Sequence, residues 1–586
     1  MKPRRQLFEF GPFRIEAGER LLRRDGTVVA VPPKAIALLM ALLQRSGEFV
    51  AKEELLTTVW PDAFVEEGSL AQNVSLLRKV LGETARAPYI ETIPRRGYRF
   101  VAPVRTVDGE REATRALAVL PLANLSGDRS QDFFAEGMTD ELISCLMAIR
   151  ALRVASRTSA VAYRDTGKPL RQIAEELQVE WIVEGSVLYS GSRVRITAHL
   201  IEAATDRQLW ARTYERDVSE ILALQSSVAS DIAAEVRVTL TTAERSRIGK
   251  THRVDPEAYD AHLRGRHFWN KRTRDGLKRA ADYFRAAIDG DPTYAPAYAG
   301  LADTYSLLST IGYDVLPPGE AMPRARAAAL RALEIDDRIA QAHASLGYVK
   351  LSYEWDWVGA EDQFKRAIAI DPVCATAHHW YGHCLFAMGR MEDAARQMRR
   401  AQELDPLSVP CNLGVGWSFY YQRKFDQAIS HYQRTLEIAP NLPMVLYEIG
   451  LAYQNTGRYE EALATFERAS TLSGGEAAAV MLLGHIYALL GRADEAAAQR
   501  RTLEDMSRRQ YVPPLYTAFI YAGEGNTDQA FAWFERACDE RSNYMIYLAV
   551  EPSLDPLRRD ARYLDLLRRV GLLADRLRLP PADTAG

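Results

Sequence analysis

AEDQFKRAIAIDP, residues 360–372, places Ala360, Phe364, Ala367 and Pro372 in a spaced series. The series returns at Ala394, Met398, Ala401 and Pro406, and again at Ala428, Tyr432, Thr435 and Pro440. Ala462-Phe466-Ala469, Ala496-Arg500-Leu503 and Ala530-Phe534-Ala537 continue it, each leading alanine 34 residues after the last. Gly382, Gly416, Gly450 and Gly484 keep the same period, with Ala518 in the next place. A fixed period of this length marks stacked helix pairs. The small residue of the first helix admits the second closely. The bulky residue fills the space beside it, and proline ends the second helix. Each pair leaves an apolar face that only the next pair buries, so the array grows in one dimension.

Two looser copies precede the regular ones. Ala280-Phe284-Ala287-Pro292 closes a repeat opening near Tyr259, with extra residues around 271–274. The next opens at Tyr298-Leu301-Tyr305 and resumes at Ala325-Ala332-Asp337, after an insertion holding Pro317, Pro318 and Gly319. Residues 554–572 form an amphipathic stretch with Leu557, Leu564, Leu566 and Leu567, expected to cap the open end. The region 255–540 resembles the tetratricopeptide repeat (TPR) family, with about eight repeats, capping helices over 541–573 and a disordered tail over 574–586. The resemblance implies a concave groove for a peptide, a partner protein or a second copy of the chain. His379 and His383, four apart on a repeat helix, are candidate partner-binding residues on that groove.

The first hundred residues follow other rules. Phe8-Glu9-Phe10 and Phe13-Arg14-Ile15 alternate as strands, Arg24-Asp25-Gly26 signals a turn, and 28–31 continues as a strand. Pro32-Pro33 opens a helix buried through Ile36, Leu38, Leu39, Leu42 and Leu43, and 52–60 forms a second helix stopped by Pro61-Asp62. A third helix is expected to start at a Ser69–Gln72 capping box. It buries Leu70, Val74, Leu77 and Leu81 and stops at Gly82. Gln72, Asn73, Ser75, Leu76 and Lys79 face elsewhere, with Arg78 at the margin. Strands 89–93 and 98–101 then flank Pro94-Arg95-Arg96-Gly97, with Arg99 close behind. A helix with polar outward residues fits a major groove, and an arginine-tipped hairpin reaches the backbone or a narrow minor groove.

Leu77-Arg78-Lys79-Val80-Leu81-Gly82 and residues 90–101 (IETIPRRGYRFV) closely resemble the winged helix-turn-helix effector domain of OmpR/PhoB-type regulators, above all the CadC/ToxR-like branch, over 6–103. The resemblance implies double-stranded DNA as partner, with RNA polymerase as a further contact. It implies DNA contact at the positions of Asn73 and Arg78 and phosphate contact at Thr92. Ser75 and Leu76 stand where many such regulators carry basic residues. Pro94 stands where they carry a wing arginine, so phosphate contacts shift toward Arg95 and Arg96. The DNA-binding candidates are Gln72, Asn73, Ser75, Leu76, Arg78, Lys79, Thr92, Arg95, Arg96 and Arg99.

Residues 104–115 are expected as a charged linker. Over 116–245 strand and helix signals alternate: strands at 116–122, 152–155 and 209–214, a hairpin of 181–188 and 194–201 turned at Ser190-Gly191, and helices at 132–149, 170–177 and 221–240. This α/β pattern resembles the TolB amino-terminal-like domain through 120–126, 134–142 and 183–187, a resemblance that implies no defined chemistry. The fold class expected is therefore multidomain: an α+β winged helix, an α/β middle domain and an all-α TPR solenoid.

The whole chain is 586 residues at net charge −3, with 47% hydrophobic and 26% charged residues. That composition excludes a disordered, collagen-like or histone-like chain. The balance is uneven, since 1–104 carries 16 Lys+Arg against 12 Asp+Glu, a basic head on an acidic body. Five cysteines without a CxxC pair exclude a disulfide scaffold and a zinc ribbon. No apolar run exceeds 35–43, so the expectation is a cytoplasmic protein without a membrane span, and no receiver domain fits before residue 6. Gly249-Lys250-Thr251 lacks the upstream glycine of a phosphate loop, because Glu244 stands there. The expectation is no enzyme, no metal and no cofactor. The rival readings are a TPR adaptor whose winged helix binds protein, and a signalling enzyme with its site in 116–245.

Overall fold

The computed structural model describes residues 6–16, 21–24, 27–29, 31–59, 67–83, 88–94, 96–108, 115–164, 166–249, 253–310 and 312–572. The chain divides into two compact units, residues 1–114 and 115–586.

In the first unit β1 (Gln6–Phe10), β2 (Phe13–Glu16), β3 (Leu21–Arg24) and β4 (Thr27–Val29) form an antiparallel meander. Three helices follow: α1 (Pro33–Gln44), α2 (Lys52–Val59) and α3 (Glu67–Leu81), with the short strand β5 (Phe49–Ala51) between the first two. The hairpin of β6 (Ile90–Ile93) and β7 (Gly97–Phe100) pairs with β5 in the order β5-β7-β6. Part of the expected linker is a strand: β8 (Arg105–Asp108) pairs with the open edge of β1 and satisfies its backbone groups. One core joins these layers. Phe10 meets Phe100 edge-on at 5.2 Å, and Leu39, Leu42, Leu55, Leu70, Val74 and Leu77 are buried beneath them. Asp25, Gly26, Trp60, Pro61 and Asp62, expected at a turn and a helix stop, lie outside the described residues, as does the tail over 574–586.

The second unit opens with β9 (Arg115–Val119), β10 (Ala123–Asn124), α4 (Asp132–Met147), β11 (Leu152–Val154), α5 (Arg157–Val161) and α6 (Leu170–Leu177). It continues through β12 (Trp181–Ser190), β13 (Arg193–Glu202), β14 (Arg207–Asp217), α7 (Ile221–Glu235) and α8 (Thr242–Ile248). The sheet runs β11-β9-β12-β13-β14, parallel on its first side and antiparallel on the second. Residues alternate across β9. Leu117 and Val119 meet α4 and α7, whereas Ala116 and Ala118 meet α6. The helix expected over 221–240 ends at Glu235. Arg237 turns at φ 56°, and α8 starts afresh from a Thr241–Glu244 capping box.

Among the described residues eight helix pairs follow: α9 (Pro256–Asn270) with α10 (Arg274–Gly290), α11 (Ala295–Leu308) with α12 (Pro318–Ile335), α13 (Ala340–Val349) with α14 (Trp357–Ile370), and α15 (Ala375–Ala387) with α16 (Met391–Leu404). The rest are α17 (Val409–Tyr420) with α18 (Phe425–Ile438), α19 (Pro443–Gln454) with α20 (Tyr459–Ser473), α21 (Ala477–Leu489) with α22 (Ala493–Ser507), and α23 (Pro514–Gly523) with α24 (Thr527–Asp539). The 34-residue series does what its chemistry dictates. A Cβ on Gly416 would lie 2.0 Å from the Tyr432 ring, and one on Gly450 would lie 2.3 Å from Phe466. Where Arg500 replaces the aromatic, Ile520 of the next repeat fills the space beside Gly484. Arg500 turns outward to Glu524. Pro318 and Gly319, expected in an insertion, form the first turn of α12, where proline's missing N–H costs nothing.

The middle domain caps the first repeat. Gln225 donates to the Tyr259 hydroxyl at 2.6 Å, and Gly137 lies against Leu263. The C-terminal stretch packs on the last repeat helix, with Arg562 paired to Asp528 at 2.8 Å and Arg569 to Asp539 at 2.5 Å. It breaks into short 3-10 turns, Asn543–Tyr547 and Pro552–Leu557, before α25 (Ala561–Arg569), and Leu564 is exposed. It also turns back along the array. The Trp357 indole donates to the Val570 carbonyl at 2.9 Å, and Arg541 donates to that of Tyr353 at 2.8 Å.

Candidate nucleic-acid interface

Helix α3 starts at Glu67, so Ser69 lies inside it and is not a cap. The Ser69 carbonyl instead accepts the Asn73 side-chain amide at 2.8 Å. Leu70, Val74, Leu77 and Leu81 are all at most 3% exposed and anchor the helix. Gln72, Ser75 and Lys79 are exposed on it, whereas Asn73 and Leu76 are half-buried and Leu76 packs on the core. Gly82, at φ 66°, ends the helix in the left-handed conformation that glycine adopts without strain.

Arg78 is the tie between α3 and the hairpin. Its guanidinium donates to the Ile90 carbonyl at 2.7 Å and to the Thr92 hydroxyl at 2.8 Å, with the Glu83 carboxylate 3.6 Å away. Arg78 and Thr92 are thereby engaged with each other. At the hairpin tip Arg96 is exposed, its guanidinium 5.2 Å from the centre of the Phe49 ring. Arg99 is half-buried and lies 3.9 Å from Glu91 across the strand pair. Arg95 lies outside the described residues. Lys79 and Arg96 are thus the exposed cations of this surface without a carboxylate partner among the described residues.

The groove histidines have partners inside the chain. His383 Nδ1 lies 2.6 Å from the Tyr547 hydroxyl, and its Nε2 lies 3.3 Å from that of His379. Burial pushes His379 down to about 4 and His383 well below its ordinary value, so both rings are neutral at neutral pH. Glu551, buried on the same returning segment as Tyr547, accepts from Tyr420 and Tyr544. The C-terminal segment therefore sits where an external partner is expected, a placement that no local spacing announces. Among the described residues no three His, Cys, Asp or Glu side chains gather for a metal, and no helix is long and apolar enough to cross a membrane.

Residues 26–100 match the family model described as "Transcriptional regulatory protein, C terminal", and 356–409, 413–476 and 447–505 match "Tetratricopeptide repeat". The head belongs to the transcriptional regulatory C-terminal family. The array is built of tetratricopeptide repeats. The chain is 25% identical over 392 residues to the transcriptional regulator HilA of Salmonella typhimurium, covering 66% of this chain and 68% of that one. It is 36% identical over 190 residues to a putative adenylate cyclase 3 of Rhizobium meliloti, and the match spans only 32% of each chain. The solved DNA-binding domain of Escherichia coli CadC is matched along its whole length at 30% identity, covering 18% of this chain with a TM-score of 0.17. Transcription regulation is what the head's family description and the HilA relative have in common.

Proposed function

We propose that this chain is a non-catalytic, sequence-specific DNA-binding transcriptional regulator of the cytoplasm. The head grips promoter DNA, and the second unit receives a protein or ligand signal or drives self-association. The observation that carries the reading is the solvent-facing set Gln72, Ser75 and Lys79 on α3 beside the exposed Arg96 of the hairpin, over a continuous core. Gln72 and Ser75 are suited to base edges, while Lys79, Arg95 and Arg96 are suited to phosphates. Arg78 acts from behind, holding the hairpin at its angle to the helix. A single module of this size buries a modest interface, so paired or tandem sites and a contact to RNA polymerase complete the proposal. Selection of bound duplexes from random sequence by the full chain tests it. Enrichment of one motif supports the proposal. Recovery of no DNA, with a stable protein partner in its place, favours an adaptor role.

A further inference from the structure

The second unit encloses a chamber of about 1740 Å³ between the inner helices of the array, α4 and α5 of the middle domain, and the returning C-terminal segment. Its wall carries two guanidiniums on one indole. Arg272 lies 3.6 Å from the centre of the Trp269 ring and Arg266 lies 5.1 Å from it. Neither forms an ion pair among the described residues. The acids whose charge reaches them hold other donors: Asp303 accepts from Gln341 and Ser345, Asp140 from Arg157, and Asp405 through one of its two oxygens from Thr158. Arg272 has the Tyr313 hydroxyl as a neutral contact, and the Trp269 Nε1 is buried without an acceptor. The backbone of Arg272 stands at φ 52°, a conformation uncommon outside glycine, which brings its side chain onto that indole. Burial holds its guanidinium below the ordinary arginine value.

A desolvated guanidinium such as that of Arg272, which no carboxylate touches among the described residues, is costly to keep. Charge-assisted hydrogen bonds donated to a bound anion offset that cost. The remaining wall includes Tyr348, Trp380 and Trp417, and sites for small molecules combine such apolar walls with a few placed polar groups. We propose that the chamber binds a small organic anion, an apolar body bearing one carboxylate or phosphate, with its charge on Arg266 and Arg272 and its body against the aromatic wall. The proposal deepens the reading of the second unit as the input side, and only its regulatory consequence rests on that reading. The binding itself is measured without DNA, so the two readings fail separately.

The test titrates the full chain with 8-anilinonaphthalene-1-sulfonate and displaces this probe with decanoate, decyl phosphate and decan-1-ol. Saturable fluorescence is expected, with the acid or the phosphate displacing the probe at least tenfold more tightly than the alcohol. Arg272→Met should weaken displacement by the anion at least tenfold with thermal unfolding unchanged, and Arg272→Lys should weaken it less. Equal displacement by alcohol and anions overturns the proposal, and that comparison on the unaltered chain needs no variant to fold. Unchanged anion affinity in folded Arg272→Met overturns it as well, as does the absence of probe and decanoate binding at millimolar concentration.

Discussion

In the proposed reading Lys79 and Arg96 are the residues through which the head meets a polyanion. A cation bound to phosphate releases a counterion, so removing one such side chain lowers the slope of log affinity against log salt by about 0.9. Lys79→Ala and Arg96→Ala should each weaken retention on all sequences and flatten the slope by roughly that amount, measured by gel shift at several salt concentrations. Gln72→Ala should change which duplexes are preferred while leaving the slope alone, measured by selection from random sequence. Arg78→Ala should do something different. It removes the tie to Ile90 and Thr92, so binding should fall while the head also loses about 1–3 kcal/mol of stability, read by denaturant unfolding. The sequence makes readable which residues of α3 leave the core. Whether an outward residue is without a partner among the described residues, as Lys79 is, or tied to a strand fourteen residues away, as Arg78 is, depends on a fold that spacing does not contain.

At the scale of elements, the helix pairs are legible because close packing writes itself into sequence. Only a glycine admits the Tyr432 ring at the distance seen beside Gly416, and the demand recurs from repeat to repeat. Gly416→Ala should therefore destabilise the second unit by about 1–3 kcal/mol through overpacking, with the head unaffected, as read by hydrogen exchange. The start of α3 is less legible. A serine followed three residues later by glutamine fits a cap, yet it also fits a helix interior, and helix α3 runs through Ser69 from Glu67. The strand β8 is hidden for a related reason: its pairing partner, β1, lies at the other end of the domain's sequence.

The whole second unit is held closed by long-range contacts. Tyr547 reaches His383 across 164 residues of sequence and Glu551 reaches Tyr420 across 131. Arg272, in the extra residues between α9 and α10, meets Trp269 of α9. The departure from period is visible there; its use is not. The same enclosure sets a pH dependence. Burial raises Glu448 to about 8 and Asp314 to about 7, above the ordinary carboxyl value near 4. The folded unit therefore holds these protons more tightly than the unfolded chain. Their stabilising contribution is present below pH 4 and is lost as pH rises through 7 and 8. Thermal unfolding of the second unit should occur at lower temperature at pH 8 than at pH 6, and Glu448→Gln should reduce that difference.

The most direct measurement is the affinity of the full chain for its selected duplex between about 50 and 200 mM salt, the range over which phosphate-dominated binding changes steeply. A straight decline of log affinity against log salt, flattened in the Lys79→Ala Arg96→Ala double variant, is the result the account predicts. Retention that ignores salt, or a double variant that binds like the parent, would contradict it.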